Sequence, residues 1–210
     1  CVECHPAHVE EWEGSMHAYA GEDPLFIAMN QRGQRETNGE LGDFCVKCHA
    51  PMAVREGATT DGLNLDEVDD TLKGVGCYFC HNTVEVCGEN NGDLALADDR
   101  IMRGGYSDPT PNTAHASAYS PLLDRNDISS ADPCGACHDV FTPAGVALER
   151  TYMEWKETLF AHNTAGMRQT CGNCHMDGRD DVAADYDGVP LRRVHAHGMP
   201  GIDVALTDFP

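Results

Sequence analysis

The pattern of apolar positions is helical in two segments of the chain. In the first, apolar side chains recur every three or four residues, at Val9, Trp12, Met16 and Tyr19. Pro6 suits the first turn of a helix and Gly21 its end, so a helix is predicted over residues 6–20. In the second, one face would carry Tyr152, Trp155, Leu159 and His162, which predicts a helix over residues 151–162.

Polar and turn-forming residues dominate elsewhere. Residues 30–43 are polar, and residues 87–113 contain Asn-Asn-Gly-Asp, Gly-Gly and Asp-Pro-Thr-Pro, so both segments are predicted to be loops. Residues 63–72 suit a single helical turn, residues 177–190 suggest a loop, and residues 191–210 alternate enough to indicate extended structure. The prediction is a mainly α protein with long irregular loops and little β structure.

Five copies of the motif Cys-x-x-Cys-His lie along this pattern. Their spacing is the attachment signature of haem c, in which two thiols form thioethers and the adjacent histidine binds the iron. A zinc site would pair its Cys-x-x-Cys units in fours and needs no histidine there. The predicted attachment residues are Cys1, Cys4, Cys45, Cys48, Cys77, Cys80, Cys134, Cys137, Cys171 and Cys174. The predicted proximal ligands are His5, His49, His81, His138 and His175.

The chain has few residues for each expected haem, which suggests that the haems themselves form the core. With 210 residues, there are about 42 residues per motif, and aromatic residues make up only 7%. The motifs start 44, 32, 57 and 37 residues apart, and this unequal spacing argues against a solenoid of repeats. We therefore expect one domain over residues 1–210, wrapped around five closely spaced haems whose burial drives folding.

Six further histidines are candidates for the second axial position. Eleven histidines less five proximal ones leave His17 and His115, which we rank first, then His195 and His197, then His8 and His162. Five irons need at most five more ligands, so bis-histidine coordination is the economical hypothesis, and it favours low reduction potentials.

Simple geometry limits the pairing of these histidines. On a continuous helix His17 would lie ~18 Å beyond His5, so it should serve another iron. His8 is one turn from His5 on the same face and can bind only a neighbouring haem. On a strand, His195 and His197 would share one side at about 7 Å, so they bind two different haems or one of them is spare.

The charge of the chain narrows its partners and location. The formal net charge of −21 disfavours binding to nucleic acid or anionic lipid. No apolar run is long enough to span a membrane. Haem attachment takes place outside the cytoplasm, so we expect an exported, periplasmic or extracellular protein whose leader has been removed. Cys87 lies outside every motif and is expected to be a free thiol, with an intermolecular disulfide as the alternative.

Several segments around the motifs resemble a known family of cytochromes. They are residues 12–18 (WEGSMHA), 48–53 (CHAPMA), 74–81 (GVGCYFCH), 137–140 (CHDV) and 174–176 (CHM). Together, over nearly the whole chain, they resemble the cytochrome family that includes the tetrahaem partners of hydroxylamine oxidoreductase. The resemblance implies a mainly helical fold, stacked and perpendicular haem pairs, and an axial role for His17 at a different haem. The fifth motif departs from the tetrahaem pattern, so haem pairings do not transfer wholesale.

The resemblance also bears on the extent and assembly of the chain. Similar longer proteins continue past a segment like residues 204–210 into a β-rich domain, so this chain is expected to be a processed piece. Some extracellular cytochrome filaments resemble the family as well, and in those an axial histidine can come from the next subunit. Because the first motif begins at Cys1, its haem is hard to bury within one chain, and a neighbour could supply its cover and its sixth ligand.

The predicted function is electron transfer, with other redox proteins and further copies of the chain as partners. It divides into a soluble shuttle and a subunit of a head-to-tail conducting filament. The alternative is a reductase or oxidase of a small nitrogen or sulfur compound, which needs a five-coordinate haem and proton donors. The chain lacks the Cys-x-x-Cys-Lys site of pentahaem nitrite reductases, so we expect a carrier rather than an enzyme.

Overall fold

The computed structural model describes residues 1–201, which fall into two compact units. Unit 1 combines Cys1–Glu13 with the chain from His81 onward, and unit 2 comprises Gly14–Cys80. The boundary at residues 80 and 81 falls inside one short helix, Cys77–Asn82. Among the described residues, no helix has the length and apolar character needed to cross a bilayer.

Unit 2 is helical. Its elements are α2 (Met16–Tyr19), α3 (Pro24–Glu36), α4 (Val46–His49), α5 (Pro51–Arg55), a 3-10 turn (Asp70–Leu72) and most of α6 (Cys77–Asn82). A cluster of buried apolar side chains joins these helices: Phe26, Val46, Ala50, Ala53, Leu65 and Val68. Helix α4 and part of this cluster belong to the second motif, so the motif sits on a packed apolar core.

Helix α3 lies where the polar sequence predicted a loop from residue 30. Asp23 caps its first turn by accepting bonds from the Leu25 and Phe26 amides at 3.1 Å. Its inward face carries Phe26, Asn30 and Gln34 at a spacing of four residues. The buried amide groups donate to backbone carbonyls, Asn30 to Asp61 at 2.7 Å and Gln34 to Gly42 at 2.6 Å. The loop prediction was wrong over residues 30–36, because two polar residues whose side-chain amide nitrogens are hydrogen-bonded occupy the buried face.

Unit 1 mixes short helices with strands. Its helices are α1 (Pro6–Glu13), α7 (Asp132–Cys137), α8 (Thr151–Lys156) and α9 (Cys171–His175), with 3-10 turns at Pro121–Leu123, Ile128–Ala131 and Thr164–Gly166. Its strands are β1 (Thr83–Val86), β2 (Leu94–Leu96), β3 (Ile101–Gly104), β4 (Ala116–Tyr119), β5 (Val140–Phe141), β6 (Ala147–Glu149), β7 (Gly178–Val182) and β8 (Leu191–His195). The strands form four two-stranded sheets, of which β3–β4 is parallel and β1–β2, β5–β6 and β7–β8 are antiparallel.

The prediction of a mainly α fold with little β structure was therefore wrong. The structure is 34% helical and 15% strand, and every strand lies in unit 1. The strands escaped notice because they are short and weakly alternating. Strand β7, with the sequence Gly-Arg-Asp-Asp-Val, has almost no apolar periodicity, and its position depends on the ladder it forms with β8.

The two predicted helices are shorter than expected. The first divides into α1 and α2 at Gly14 and Ser15, and the second ends at Lys156. Extended structure after Leu191 is confirmed over β8, and residues 202–210 lie outside the described residues. The predicted loops 87–113 and 177–190 contain β2, β3 and β7.

Candidate haem sites

Each motif forms a single helical turn. The second, third, fourth and fifth motifs lie in or beside α4, α6, α7 and α9, and the first is a turn that leads into α1. In that turn the His5 amide donates to the Cys1 carbonyl at 2.8 Å, and in the fourth motif the His138 amide donates to Cys134 at 2.9 Å. One helical turn places residues i and i+3 on the same side. The two sulfurs of each motif therefore project together, as the two thioether bonds of one haem require.

The cysteines are available for this chemistry. All eleven, Cys87 among them, lie within the described residues, and none of them forms a disulfide. Among residues 1–201, no three histidine, cysteine or acidic side chains are grouped so as to hold a metal ion by themselves. The donor set instead suits a cofactor that brings its own four equatorial nitrogens and takes an imidazole from the protein, as haem does.

Four of the five predicted proximal histidines share one arrangement at their Nδ1 atoms. Nδ1 lies 2.8 Å from the Ala183 carbonyl in His5, 3.0 Å from Ala20 in His49 and 2.9 Å from Pro200 in His175. In His81 it is bonded to the Arg103 carbonyl. His138 differs, because its Nδ1 faces a carboxylate oxygen of Glu149 at 3.6 Å. A carbonyl partner fixes the proton on Nδ1 and leaves the Nε2 lone pair free to bind iron.

Two of the predicted distal histidines lie opposite proximal ones. The ring of His115 is 6.3 Å from that of His5, with 22° between their planes. The ring of His197 is 6.2 Å from that of His81, at 19°. All four residues belong to unit 1. Sequence reasoning proposed each as a ligand but left these pairs open.

The other distal candidates are placed differently. His8 contacts the ring of His197 edge-on at 4.8 Å and lies 6.1 Å from His5. Nδ1 of His195 accepts from the guanidinium of Arg125 at 3.0 Å. His162 is exposed in a turn after α8, and His17 lies in α2 of unit 2, half-buried.

Burial holds several of these imidazoles neutral. It lowers the pKa of His197 to about 4, with help from the neighbouring His8 and His81. Burial also lowers the pKa of His81 and of His8. A neutral imidazole keeps a lone pair for a metal, whereas a protonated one has none. His81 and His197 are thus in the protonation state that ligation needs.

The thiols show two distinct environments. Burial, followed by the nearby Cys77, raises the pKa of Cys80 to about 11. The pKa of Cys171 is lowered, chiefly by a hydrogen bond with the Cys134 thiol. Since Cys134 starts the fourth motif and Cys171 the fifth, the attachment points of these two motifs are neighbours in unit 1.

A polar network supports His81, and sequence reasoning missed it. Asn82 is fully buried and donates to the carboxylate of Asp99 at 3.0 Å, while its own side-chain oxygen accepts from the Asp98 amide at 3.0 Å. Asp99 also binds both terminal nitrogens of Arg103, at 3.1 and 2.8 Å. The Arg103 carbonyl is the partner of His81 Nδ1. No motif marks these residues, because the network forms only when β3 folds back beside α6.

A protein-family model described as cytochrome c554 and c-prime matches residues 1–82. The match supports a c-type cytochrome, with covalently bound haem c and iron. It covers the first three motifs, whereas the resemblance noted from the sequence extended over nearly the whole chain. No curated protein and no solved structure is significantly similar to the chain.

The matched segment contains none of the strands that the structure describes. Strands β1 to β8 all lie beyond residue 82, as do the last two motifs and the histidines at 115, 195 and 197. The similarity therefore bears on the helical part of the chain, and the arrangement of the remainder depends on its own contacts.

Proposed function

We propose that this cytochrome carries five haem c groups and transfers electrons between other redox proteins through a series of mostly bis-histidine irons. The observation that supports the proposal best is the repeated site. Five helical turns each present a histidine and two cysteines that form no disulfide, and four of those histidines have Nδ1 bonded to a backbone carbonyl. Bound haem supplies a one-electron Fe(III)/Fe(II) couple, and the residues of the chain bind it, orient it and set its potential.

The haem count tests this proposal directly. Intact-mass measurement of the purified holoprotein should give the mass of the chain plus five haems, and a pyridine haemochrome assay should give the same ratio. Ferric electron paramagnetic resonance (EPR) should show low-spin haem. A smaller count, or cysteine pairs that remain as thiols, would contradict the proposal.

The reductase or oxidase is the second candidate, and it depends on an open iron. Six histidines besides the proximal ones are available for five sixth positions, so most irons can take a second histidine even when two of the six bind none, which favours the carrier. A five-coordinate haem would give a high-spin EPR signal and bind carbon monoxide when reduced. Absence of both in the native protein supports a carrier, whereas their presence at one haem would favour the enzyme.

We propose a periplasmic or extracellular location, in keeping with export, which is typical of c-type cytochromes. The carrier would work there as a soluble shuttle or as the subunit of a filament. Electron microscopy across a range of protein concentrations separates these forms. Single particles at every concentration identify the shuttle, and unbranched polymers identify the filament.

A further inference from the structure

We propose that two irons of this cytochrome are held by histidine pairs from the same chain, His5 with His115 and His81 with His197, and that His8 and His195 bind no iron. The inference rests on the proposed function, because it presupposes haem at the first and third motifs. It adds the identity of the sixth ligands, which neither the motifs nor the match over residues 1–82 provides.

The distance between the ring centres of each pair supports the proposal. A metal lies about 2.0–2.1 Å from an imidazole nitrogen, and that nitrogen lies about 1.1 Å from the ring centre, so two rings on opposite sides of one metal have centres about 6.2–6.4 Å apart. The rings of His5 and His115 are 6.3 Å apart, and those of His81 and His197 are 6.2 Å apart. Both separations match the value for axial ligands of a single iron.

The hydrogen-bond partners of the four Nδ1 atoms also support the proposal. Nδ1 of His115 lies 3.2 Å from the Ala116 carbonyl, and Nδ1 of His197 lies 2.9 Å from the His195 carbonyl. The proximal partners, His5 and His81, have the same kind of bond. In all four rings a backbone carbonyl therefore fixes the proton on Nδ1 and leaves Nε2 as the ligand atom.

Geometry also excludes His8 and His195 as ligands. The ring of His8 is 4.8 Å from that of His197, too close for a metal between them, and His8 follows His5 by three residues on the same side of one helical turn, so it cannot bind the opposite side of the same iron. His195 presents Nδ1 to the guanidinium of Arg125, which can only donate. Nδ1 of His195 must then be an acceptor, so in the neutral ring Nε2 carries the proton and is blocked as a ligand.

The pair of His5 and His115 identifies the sixth ligand of the first haem. The sequence left open that the sixth ligand of this haem comes from a neighbouring subunit. His115 lies in unit 1 with His5 and supplies that ligand from within the chain. The first iron should therefore be six-coordinate in an isolated monomer, whether or not the protein polymerises.

The test compares His115→Ala and His197→Ala with the matched controls His8→Ala and His195→Ala in the haem-loaded monomer. The readouts are the high-spin EPR signal of the ferric protein and the carbon monoxide bound per chain by the reduced protein. Relative to the native protein, we expect each of the first two variants to gain one five-coordinate haem and their combination to gain two. Neither control should open any. The lost low-spin signal should be rhombic, because the paired ring planes are nearly parallel at 22° and 19°.

Three further variants control for replacement of the lost ligand by another histidine and for misfolding. His8→Ala combined with His115→Ala removes the nearest imidazole that could replace His115, and an open site in either background supports the proposal. His115→Met and His197→Met retain a ligand, so the protein should fold and the potential of one haem should rise in each. If the alanine variants do not accumulate, the haem potentials of the methionine variants test the two pairs instead.

The outcomes separate this proposal from the proposed function. If His115→Ala and His197→Ala leave all haems low-spin even without His8, and the methionine variants leave every potential unchanged, the pairing is wrong while the five-haem carrier stands. An open site in His195→Ala or in His8→Ala alone would also overturn the pairing. A native protein with fewer than five haems would instead contradict the proposed function.

Discussion

The two units of this cytochrome differ in what holds them together. Unit 2 is the smaller, yet it contains seven of the eleven buried hydrophobic residues found in residues 1–201, and six of them form one cluster. Unit 1 contributes four, Ala131, Ala136, Tyr152 and Val194, and the described part of it has no comparable cluster. Its buried positions include Asn82, Thr83, Ser120, Ser130, Asp139 and Thr170.

Under the proposed function, the number of haem motifs in each unit accounts for the contrast. Unit 2 contains one complete motif, at residues 45–49, whereas unit 1 contains three, at residues 1–5, 134–138 and 171–175, and the third motif spans the boundary. A porphyrin offers a large apolar surface, so a segment that binds several needs fewer apolar side chains of its own. The expected haem core thus describes unit 1 better than unit 2, where aliphatic packing is already in place.

The largest expected effect follows from withholding the haems. The full chain, expressed without haem attachment, should keep amide protection around the unit 2 cluster and lose it in unit 1. We expect protection in unit 1 to fall by on the order of 100-fold or more relative to the holoprotein. Hydrogen exchange with mass spectrometry measures both units in one sample. Equal loss in the two units would show that the apolar cluster does not stabilise unit 2 by itself.

The next effect is a backbone requirement within unit 2. Gly74 has a φ of +66°, and a Cβ there would overlap the carbonyl of Ala18. Gly74→Ala should therefore cost more than the ~1–2 kcal/mol of a left-handed alanine, because backbone must also move. Denaturant unfolding of the holoprotein measures the loss. Gly76→Ala is the matched control, since Gly76 has open space around its missing Cβ and no positive φ. Similar losses in both variants would contradict this account.

These examples show which features the sequence could reveal. The five attachment motifs and both helical starts follow from local spacing, because one helical turn needs only its own residues. Helix α3 was missed because its buried face uses Asn30 and Gln34, whose bonds to Asp61 and Gly42 are invisible in the pattern. The strands depend on contacts between distant segments, and so do the proposed pairs of His115 with His5 and of His197 with His81. Local periodicity does not indicate such contacts.

A smaller effect concerns one hydrogen bond in unit 1. The Tyr152 hydroxyl donates to the Asp132 carboxylate at 2.6 Å and so joins α8 to α7 of the fourth motif. Tyr152→Phe should lower the free energy of unfolding by about 1.5–3 kcal/mol, the range for bonds to charged groups. Tyr119→Phe is the control, because its exposed hydroxyl bonds Asp124 at 3.1 Å and should contribute within ~0.5 kcal/mol. If the two variants lose equal stability, the buried hydrogen bond of Tyr152 contributes no more to the free energy of unfolding than the exposed one of Tyr119.

The smallest effect is the dependence of unit 1 on acid. Hydrogen bonds from Arg103, then from the Ile101 amide, hold the pKa of Asp99 well below its usual range. A depressed folded-state pKa adds stability above the unfolded value, about 3.9, and this stability disappears as the pH falls through the folded value. Asp99→Asn should therefore destabilise the holoprotein at neutral pH, and its difference from the native chain should shrink as the solution is acidified below about pH 4. Thermal unfolding across that range measures the difference, with the exposed Asp187→Asn as a control that should not diverge from the native chain. A constant gap between Asp99→Asn and the native chain at all pH values would mean that the network supporting His81 depends on shape rather than on the charge of Asp99.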